Sequence, residues 1–409
     1  MTKSILFVNL SDESNLIKIN TAKKLGHRIF LVAPELPYWA APQIDKFIQA
    51  DTTKFSDTLD KLHKECKYDP FHGVITILDK SVELVATIAE EFNLPGSSLI
   101  AATTVKHKYK MREALQKNQV AHPKFLFVKT LEDLQIAADY IGYPMIFKPV
   151  AASTSVAVFK LNNKEELEQK FQAMIQCQRT PFWLYPDEYI AEEFMQGQEV
   201  SAEGIINQGK IHFAGITSKF VDSPGFTEWM QCFPASLSLE QNQQVFNVVE
   251  KAIHAVGIDD CAFHVEVMIT ADGPKIVEIN SRMAGSFIAS HLVPLASGID
   301  LVKLSIQTAL GEPIEMMPSK LKFACERNLY AKENGTIADW LNTEGILDLA
   351  GVKEFKVLRA VREYVSVPPE GYNNLLCAVV TEAESFDSAI ELARDALHNV
   401  RCIMTGVSV

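Results

Sequence analysis

Glu266 and Glu278 are spaced to face each other across a β-hairpin. Residues 264–269 and 275–280 read as two strands, and Ala271-Asp272-Gly273 between them reads as a three-residue loop with Gly273 where φ > 0 is needed. That loop pairs Thr270 with Pro274, and the same register pairs Glu266 with Glu278 and His264 with Asn280. Side chains alternate along a strand, so these four share one face with Arg282 close beyond, while Val265, Val267, Val277 and Ile279 take the other face and pack on a core. Two like charges placed opposite each other repel, so something cationic belongs between the glutamates. Glu, Glu and Asn are oxygen ligands, which suit Mg²⁺ or Mn²⁺ rather than zinc, and Mg²⁺ held by few protein oxygens completes its shell with water and phosphate. The hairpin is a candidate nucleotide-phosphate site; an amphipathic hairpin with a solvated polar face gives the same pattern.

With 409 residues the chain is long enough for two or three domains, each with its own core. The net charge of −12 argues against nucleic acid as a partner, which would need a basic face. No apolar run is long enough to span a bilayer, and the apolar start at residues 4–8 is too short for a secretory signal. The seven cysteines are scattered, odd in number and without a C-x-x-C pair, which favours free thiols and a cytoplasmic location over disulfides or zinc.

Strand and helix signals alternate over residues 1–103, implying a parallel sheet, but residues 9–14, Asn-Leu-Ser-Asp-Glu-Ser, lack the glycines of a dinucleotide-binding turn. Residues 104–119 read as one helix carrying Lys106, Lys108, Lys110 and Arg112, a run that ordinarily marks a solvated basic face. A strand at 145–149 carries Lys148 and leads into the small, polar Ala151-Ala152-Ser153-Thr154-Ser155, which could set backbone N–H groups and an ammonium around phosphate. Residues 189–194 and 199–206 form a second hairpin-like pair. Residues 216–236 are strand-poor, hold Trp229 and Phe233, and read as a binding loop. Residues 239–256 are helical. The character changes near 311–313, and 320–409 gives short strands and an amphipathic helix at 385–400.

The order of these motifs resembles the ATP-grasp superfamily. Glu266 with Glu278-Ile279-Asn280-Ser281-Arg282 looks like its metal signature, Lys108-Tyr109-Lys110-Met111-Arg112 like its first ATP-lysine segment, Phe147-Lys148-Pro149 like its second, and residues 192–199, Glu-Glu-Phe-Met-Gln-Gly-Gln-Glu, like the adenine-binding hinge. The likeness is strongest to the carboxylate–amine ligase branch that includes bacterial L-amino acid ligases. It implies a mixed α/β and α+β fold: a Rossmann-like N-terminal domain at 1–103, an ATP-grasp domain at 104–312 with a mobile lid at about 120–195, and a C-terminal α+β domain at 313–409. It implies ATP and two Mg²⁺ ions (Mn²⁺ as a substitute), small carboxylate and amine substrates such as amino acids, and a homodimer.

Residue by residue, the resemblance places Lys108, Lys148, Ser153 and Ser155 on the phosphates, Glu192, Glu193, Phe194 and Met195 around adenine, and Glu199 on the ribose. Glu266, Glu278 and Asn280 would hold the metal, and Arg282 would clamp the transferred phosphoryl group. Trp229, Gln231, Gly285 and Ser286 would border the substrate, a small side chain at 286 leaving room for a bulky one. Two departures stand out. The phosphate loop 150–158 has no glycine, and Gln231 stands where amino acid ligases often carry an oxyanion-stabilising histidine, with His212 and His264 as alternatives. A purine-precursor or bicarbonate ligase, or a nucleotide-binding protein without turnover, remain the competing readings.

Overall fold

A computed structural model describes residues 2–152, 155–177, 185–222, 226–368, 371 and 374–405. Strands β1 (Ser4–Val8), β2 (Arg28–Ala33), β3 (Lys46–Gln49) and β4 (Gly73–Ile75) form a parallel sheet in the order β3-β2-β1-β4. Helices α1 (Leu16–Lys24) and α2 (Phe55–Cys66) lie in the β1–β2 and β3–β4 crossovers, and α3 (Val82–Glu91) follows β4. Both faces are covered: Leu6, Val8, Phe30 and Val32 pack with Leu62 and Ile88, while Ile5, Phe7, Ile29 and Leu31 pack towards Leu292 and Val302. Two buried faces explain why these strands are nearly continuous in apolar residues.

The basic run 104–119 is not one helix. Helix α4 (Leu99–Lys106) ends and α5 (Lys108–Lys117) begins at His107, whose extended backbone (φ −101°, ψ 100°) breaks the helix and whose side chain accepts from the Lys110 N–H. The break turns the basic side chains inward, so Lys106, Lys108 and Arg112 are buried and Lys110 is exposed. A small antiparallel sheet follows, built from β5 (Phe125–Val128), β6 (Met145–Pro149), β7 (Phe159–Leu161) and β8 (Tyr189–Glu193) in the order β5-β8-β6-β7. Helices α6 (Leu131–Ile141), closed by a Thr130/Asp133 capping box, and α7 (Glu166–Cys177) cover it through Leu134, Leu167 and Phe171.

The largest sheet begins with β9 (Gln198–Asn207), β10 (Lys210–Asp222), β11 (Thr227–Phe233), β12 (Ala262–Thr270) and β13 (Gly273–Asn280). The expected loop at 216–236 is therefore mostly strand, a β10–β11 hairpin with a bulge at Phe220/Val221. Residues 223–225 at its tip lie outside the described residues. Helix α8 (Leu239–Val256), started by a Ser238/Gln241 capping box, packs Val245, Val249 and Ile253 against Val200, Ala202, Val265 and Val267. Helices α9 (Val293–Ser297) and α10 (Leu301–Ala309) return to the N-terminal sheet.

Beyond 312 come β14 (Phe323–Tyr330), β15 (Gly335–Leu341), β16 (Val352–Val357), β17 (Tyr364–Val365), β18 (Leu375–Ala383), α11 (Phe386–Leu397) and β19 (Arg401–Thr405). The strands do not form a separate layer. β14, β18 and β16 extend the large sheet, whose order is β13-β12-β9-β10-β11-β14-β18-β16, while β17-β15-β19 stand apart. Cys232 and Cys325, opposite each other on β11 and β14, are joined as a disulfide, which corrects the expectation of free thiols throughout; Cys66, Cys261, Cys377 and Cys402 are free. Among the described residues no helix is long and apolar enough to cross a membrane.

Candidate active site

The β12–β13 hairpin pairs Glu266 with Glu278 and His264 with Asn280. The path to that register differs from the expectation. The turn is tighter, pairing Thr270 with Gly273 and Ile269 with Pro274, and a bulge between Glu266 and Val267 then skips Val277. The one-residue differences cancel at the glutamates but not at Val277. Ile276 takes the core position expected of Val277, alongside Val265, Val267 and Ile279, and Val277 turns to the cleft.

That cleft encloses about 1090 Å³, part of it open to solvent. Its walls come from separated segments. Lys108 stands at the head of α5, Lys148 on β6, Ser155 after β6, and Glu192 and Glu193 on β8. Phe194 and Met195 lie in the linker, Glu199 on β9, Glu266 on β12, and Glu278 and Asn280 on β13, with Arg282 just beyond. The linker crosses β12 closely, since a Cβ at Gly197 would lie 2.1 Å from the Ile269 carbonyl oxygen. Ser153 lies outside the described residues.

Charged groups in the cleft are tied together. Lys148 sits 2.6 Å from Glu192, whose other oxygen accepts from Arg112 Nε at 2.8 Å. Burial works to raise the Glu192 carboxyl, but Arg112 and Lys148 outweigh it and hold it down at about 2. Burial pulls the Lys148 ammonium below its ordinary range despite Glu192. The Glu192 carboxylate is thus engaged by two cations while it lines the cleft. Glu193 is engaged too: it faces Lys275 at 3.3 Å and accepts from the Lys124 N–H.

The cations required between Glu266 and Glu278 are lysines. Lys108 ion-pairs with Glu278 at 3.2 Å and donates to the Ala152 carbonyl. Lys219, on β10, donates to Glu266, lies 2.7 Å from Glu228 and reaches Glu199 at 3.8 Å. Burial works to lower the Lys219 ammonium, but Glu228, Glu266 and Glu199 raise it well above its ordinary range. Sequence reasoning missed Lys219 and Glu228, although the need for a cation was itself the signal. His264 is held by Glu203 at 2.9 Å and approaches Glu266 at 3.3 Å. Burial works to lower it, yet Glu203 and Glu266 raise it to about 9, so the imidazolium braces Glu266 and has no nitrogen left for an oxyanion.

Arg282 donates to the Met283 carbonyl and faces Asp79 of the N-terminal unit at 3.8 Å. Asp79 is also paired with Lys106. Arg282 Nε, the atom nearest Asp79, is buried without a hydrogen-bond partner. The glycine-free loop reaches glycine-like geometry with other residues: Ser155 and Ala157 adopt φ of 54° and 55°. Each such residue costs about 1–2 kcal/mol. Ser155 Oγ donates to the Phe226 carbonyl.

Four expected residues lie off this cleft. Trp229 packs tilted against Phe220 and under Arg327, bordering a neighbouring hollow with Phe194 and Met195. Gln231 is buried between Lys219 on β10 and Glu326 on β14. Gly285 and Ser286 are exposed, and Ser286 Oγ donates to Glu326. His212 is likewise absent from the cleft wall.

The donor set fits a hard cation and a polyphosphate. Oxygens of Glu199, Glu228 and Glu266 lie within 4.8 Å of one another, beside Glu278 and Asn280, which is an all-oxygen environment of the kind Mg²⁺ takes. Two buried lysines and Arg282 line the same space. A small sheet joined to a larger one by a short linker, with ammonium groups and carboxylates gathered between them, defines the ATP-grasp architecture. Residues 141–290 match the ATP-grasp domain and 19–96 the ATP-grasp N-terminal domain; the chain belongs to the ATP-grasp superfamily.

More particular likenesses follow. The protein y4rH of Sinorhizobium fredii is 26% identical over 403 residues, 98% of this chain and 83% of its own. The alanine–anticapsin ligase of Bacillus subtilis is 25% identical over 333 residues, covering 75% of this chain and 68% of that enzyme. The crystal structure of the L-amino acid ligase from Bacillus licheniformis superposes with a TM-score of 0.86 at 22% identity, covering 99% of both chains.

Proposed function

We infer that this protein is an ATP-dependent carboxylate–amine ligase that joins amino acids. The observation carrying this reading is convergence: Lys108, Lys148, the Glu266–Glu278–Asn280 oxygens and Arg282, from four separate segments, line one cleft. The likeness to alanine–anticapsin ligase supports the amide-forming reaction.

Lys108 and Lys148 neutralise the α- and β-phosphates of ATP, and Glu192 holds Lys148 in place. The backbone of Met195 meets the adenine edge, and Glu199 accepts from the ribose hydroxyls. Glu266, Glu278 and Asn280 hold Mg²⁺, which supplies charge neutralisation at the phosphates when bound. Arg282 orients the γ-phosphoryl group and the substrate carboxylate with its planar donors. One carboxylate oxygen attacks the γ-phosphorus as the bond to ADP breaks. The amine nitrogen of the second substrate then attacks the acyl carbon, phosphate leaves, and the nitrogen gives its proton to solvent. The chain's share of the first step is positioning and electrostatics.

The test is release of ADP and phosphate with Mg²⁺-ATP against single amino acids and their pairs, with mass spectrometry of the products. Release that depends on a pair, with the mass of the matching dipeptide, is the expected result. ATP binding without release for any pair would overturn the reading in favour of a nucleotide-binding protein without turnover.

A further inference from the structure

Glu326 is a carboxylate with no solvent exposure in the middle of the large sheet. It accepts only neutral hydrogen bonds: Ser286 Oγ donates to one oxygen, the Phe287 N–H to the other at 3.3 Å, and the Asn328 side chain donates as well. Among the described residues no basic side chain pairs with it, whereas Glu192, Glu203, Glu266 and Glu278 each have a Lys, Arg or His partner. Burial pushes its carboxyl up to about 7, with nearby Glu228 acting in the same direction. Beside it, two further acceptors are buried without partners: Oε1 of Gln231, its direct cross-strand neighbour, and Oδ1 of Asn328, two positions along β14. Two oxygens without donors thus lie beside Glu326, and Ser286 (at φ 52°) and Phe287, from the loop after Arg282, reach it. A buried carboxylate flanked by orphaned acceptors is complementary to a group with several N–H donors and a positive charge.

We propose that Glu326, with Gln231 and Ser286, forms a subsite for a cationic side chain on the carboxylate substrate, so that the acid activated here is a basic amino acid. The inference rests on the ligase reading and deepens it. Geometry selects the side-chain cation over the α-ammonium. Gln231 stands between Glu326 and Lys219, so the backbones of Glu326 and of the lysine that touches Glu266 lie two strand spacings, about 10 Å, apart. An α-ammonium stays beside its own carboxylate, whereas an ammonium on a flexible four-carbon stem is carried away from it, towards the β11–β14 side of the sheet. The loop from Arg282 to Ser286 links the carboxylate clamp to the cover of this subsite, and Gly285 within it meets nothing a Cβ would touch.

The test compares L-lysine with L-norleucine, which has the same number of carbons and lacks the terminal charge. Calorimetric binding in the presence of Mg²⁺-ADP and ATP-dependent ADP release are both measured, on the full chain and on Glu326→Gln and Gln231→Met. Lysine should be preferred by about tenfold to a hundredfold, the range of a charge-assisted hydrogen bond in a buried site. Glu326→Gln should collapse the lysine-to-norleucine ratio, and Gln231→Met should reduce it by less. If Gln231 acted only on an oxyanion, Gln231→Met would slow both substrates equally and leave the ratio intact. Equal binding of both amino acids to the native chain, or a ratio unchanged in Glu326→Gln, would overturn the proposal. Selective lysine binding without ADP release would sink the ligase reading and leave the subsite standing.

Discussion

Replacing Glu192 by glutamine removes the one negative charge between two buried cations, Arg112 and Lys148, at nearly unchanged side-chain volume. The Glu192 carboxyl stands at about 2 against an ordinary 4.5. Each pKa unit is worth about 1.4 kcal/mol, so the ionised carboxylate contributes about 3 kcal/mol to the folded state at neutral pH. Breaking a buried pair by removing one partner independently gives about 3–5 kcal/mol. The folded pKa is depressed, so the contribution is complete above the unfolded value of 4.5 and is lost as pH falls through about 2. Urea denaturation of native and Glu192→Gln chains should therefore show a gap of about 3 kcal/mol at roughly pH 7, narrowing by about 1 kcal/mol by roughly pH 3.5. A second readout follows from Lys148, which burial already pulls down and which Glu192 supports. In the variant its ammonium should lose its proton nearer neutrality, so ATP affinity should fall as pH rises, where the native chain stays flat. A gap under about 1 kcal/mol at neutral pH would refute the idea that this carboxylate is a structural counter-ion.

Arg282→Ala should lower turnover by roughly a hundredfold or more while ATP affinity, read by direct titration, changes much less; an equal loss in both would remove it from the transferred phosphoryl group. Lys219→Met should destabilise the chain in chelator by leaving Glu199, Glu228 and Glu266 facing one another, and added Mg²⁺ should restore its melting temperature. Destabilisation that Mg²⁺ fails to reverse would remove the metal from that cluster. Glu326→Gln should act on stability with the opposite sign to Glu192→Gln. The Glu326 carboxyl is raised from 4.5 to about 7, so its cost is absent below the lower value and complete above the upper one. The glutamine variant should match the native chain at acid pH and gain about 3 kcal/mol above neutrality, measured by denaturant midpoints across pH.

The hairpin was legible in sequence because its signal is local: alternation, a glycine at the turn, and like charges in register. Its turn length and bulge were not, since two one-residue shifts that cancel leave the pairing of Glu266 and Glu278 unchanged. The basic run 104–119 misled for a different reason. Helical periodicity cannot see that His107 breaks the helix, and the acids that draw Lys106, Lys108 and Arg112 inward are Asp79, Glu278 and Glu192, all distant in the chain. Lys219 was invisible in the same way, because its partners stand on three other strands. The segment around it read as loop because Pro224 and scattered aromatics masked strands that need neighbours on both sides to be recognised. The joining of β11 to β14, which brings Gln231 beside Glu326, is a long-range pairing with no local trace.

That pairing also explains why one sheet carries so many buried charges. Running from β13 through β12, β9, β10 and β11 to β14, one face presents Glu278, Glu266, Glu203, Lys219, Gln231 and Glu326 in turn. A folding domain gains nothing from such a row, since each ion loses several kcal/mol of hydration and is repaid only by a well-placed partner. Lys108, Lys219 and His264 repay it on the hairpin side. At Glu326 the row ends without a cation: Ser286 Oγ, the Phe287 N–H and the Asn328 side chain donate to it, and the unpartnered Gln231 Oε1 and Asn328 Oδ1 lie beside it. A sheet selected for stability alone would have closed that end with an apolar residue or a lysine, because a half-satisfied polar cluster is worse than an apolar one. The missing charge therefore belongs to a molecule that comes and goes, as the nucleotide and its metal do at the other end.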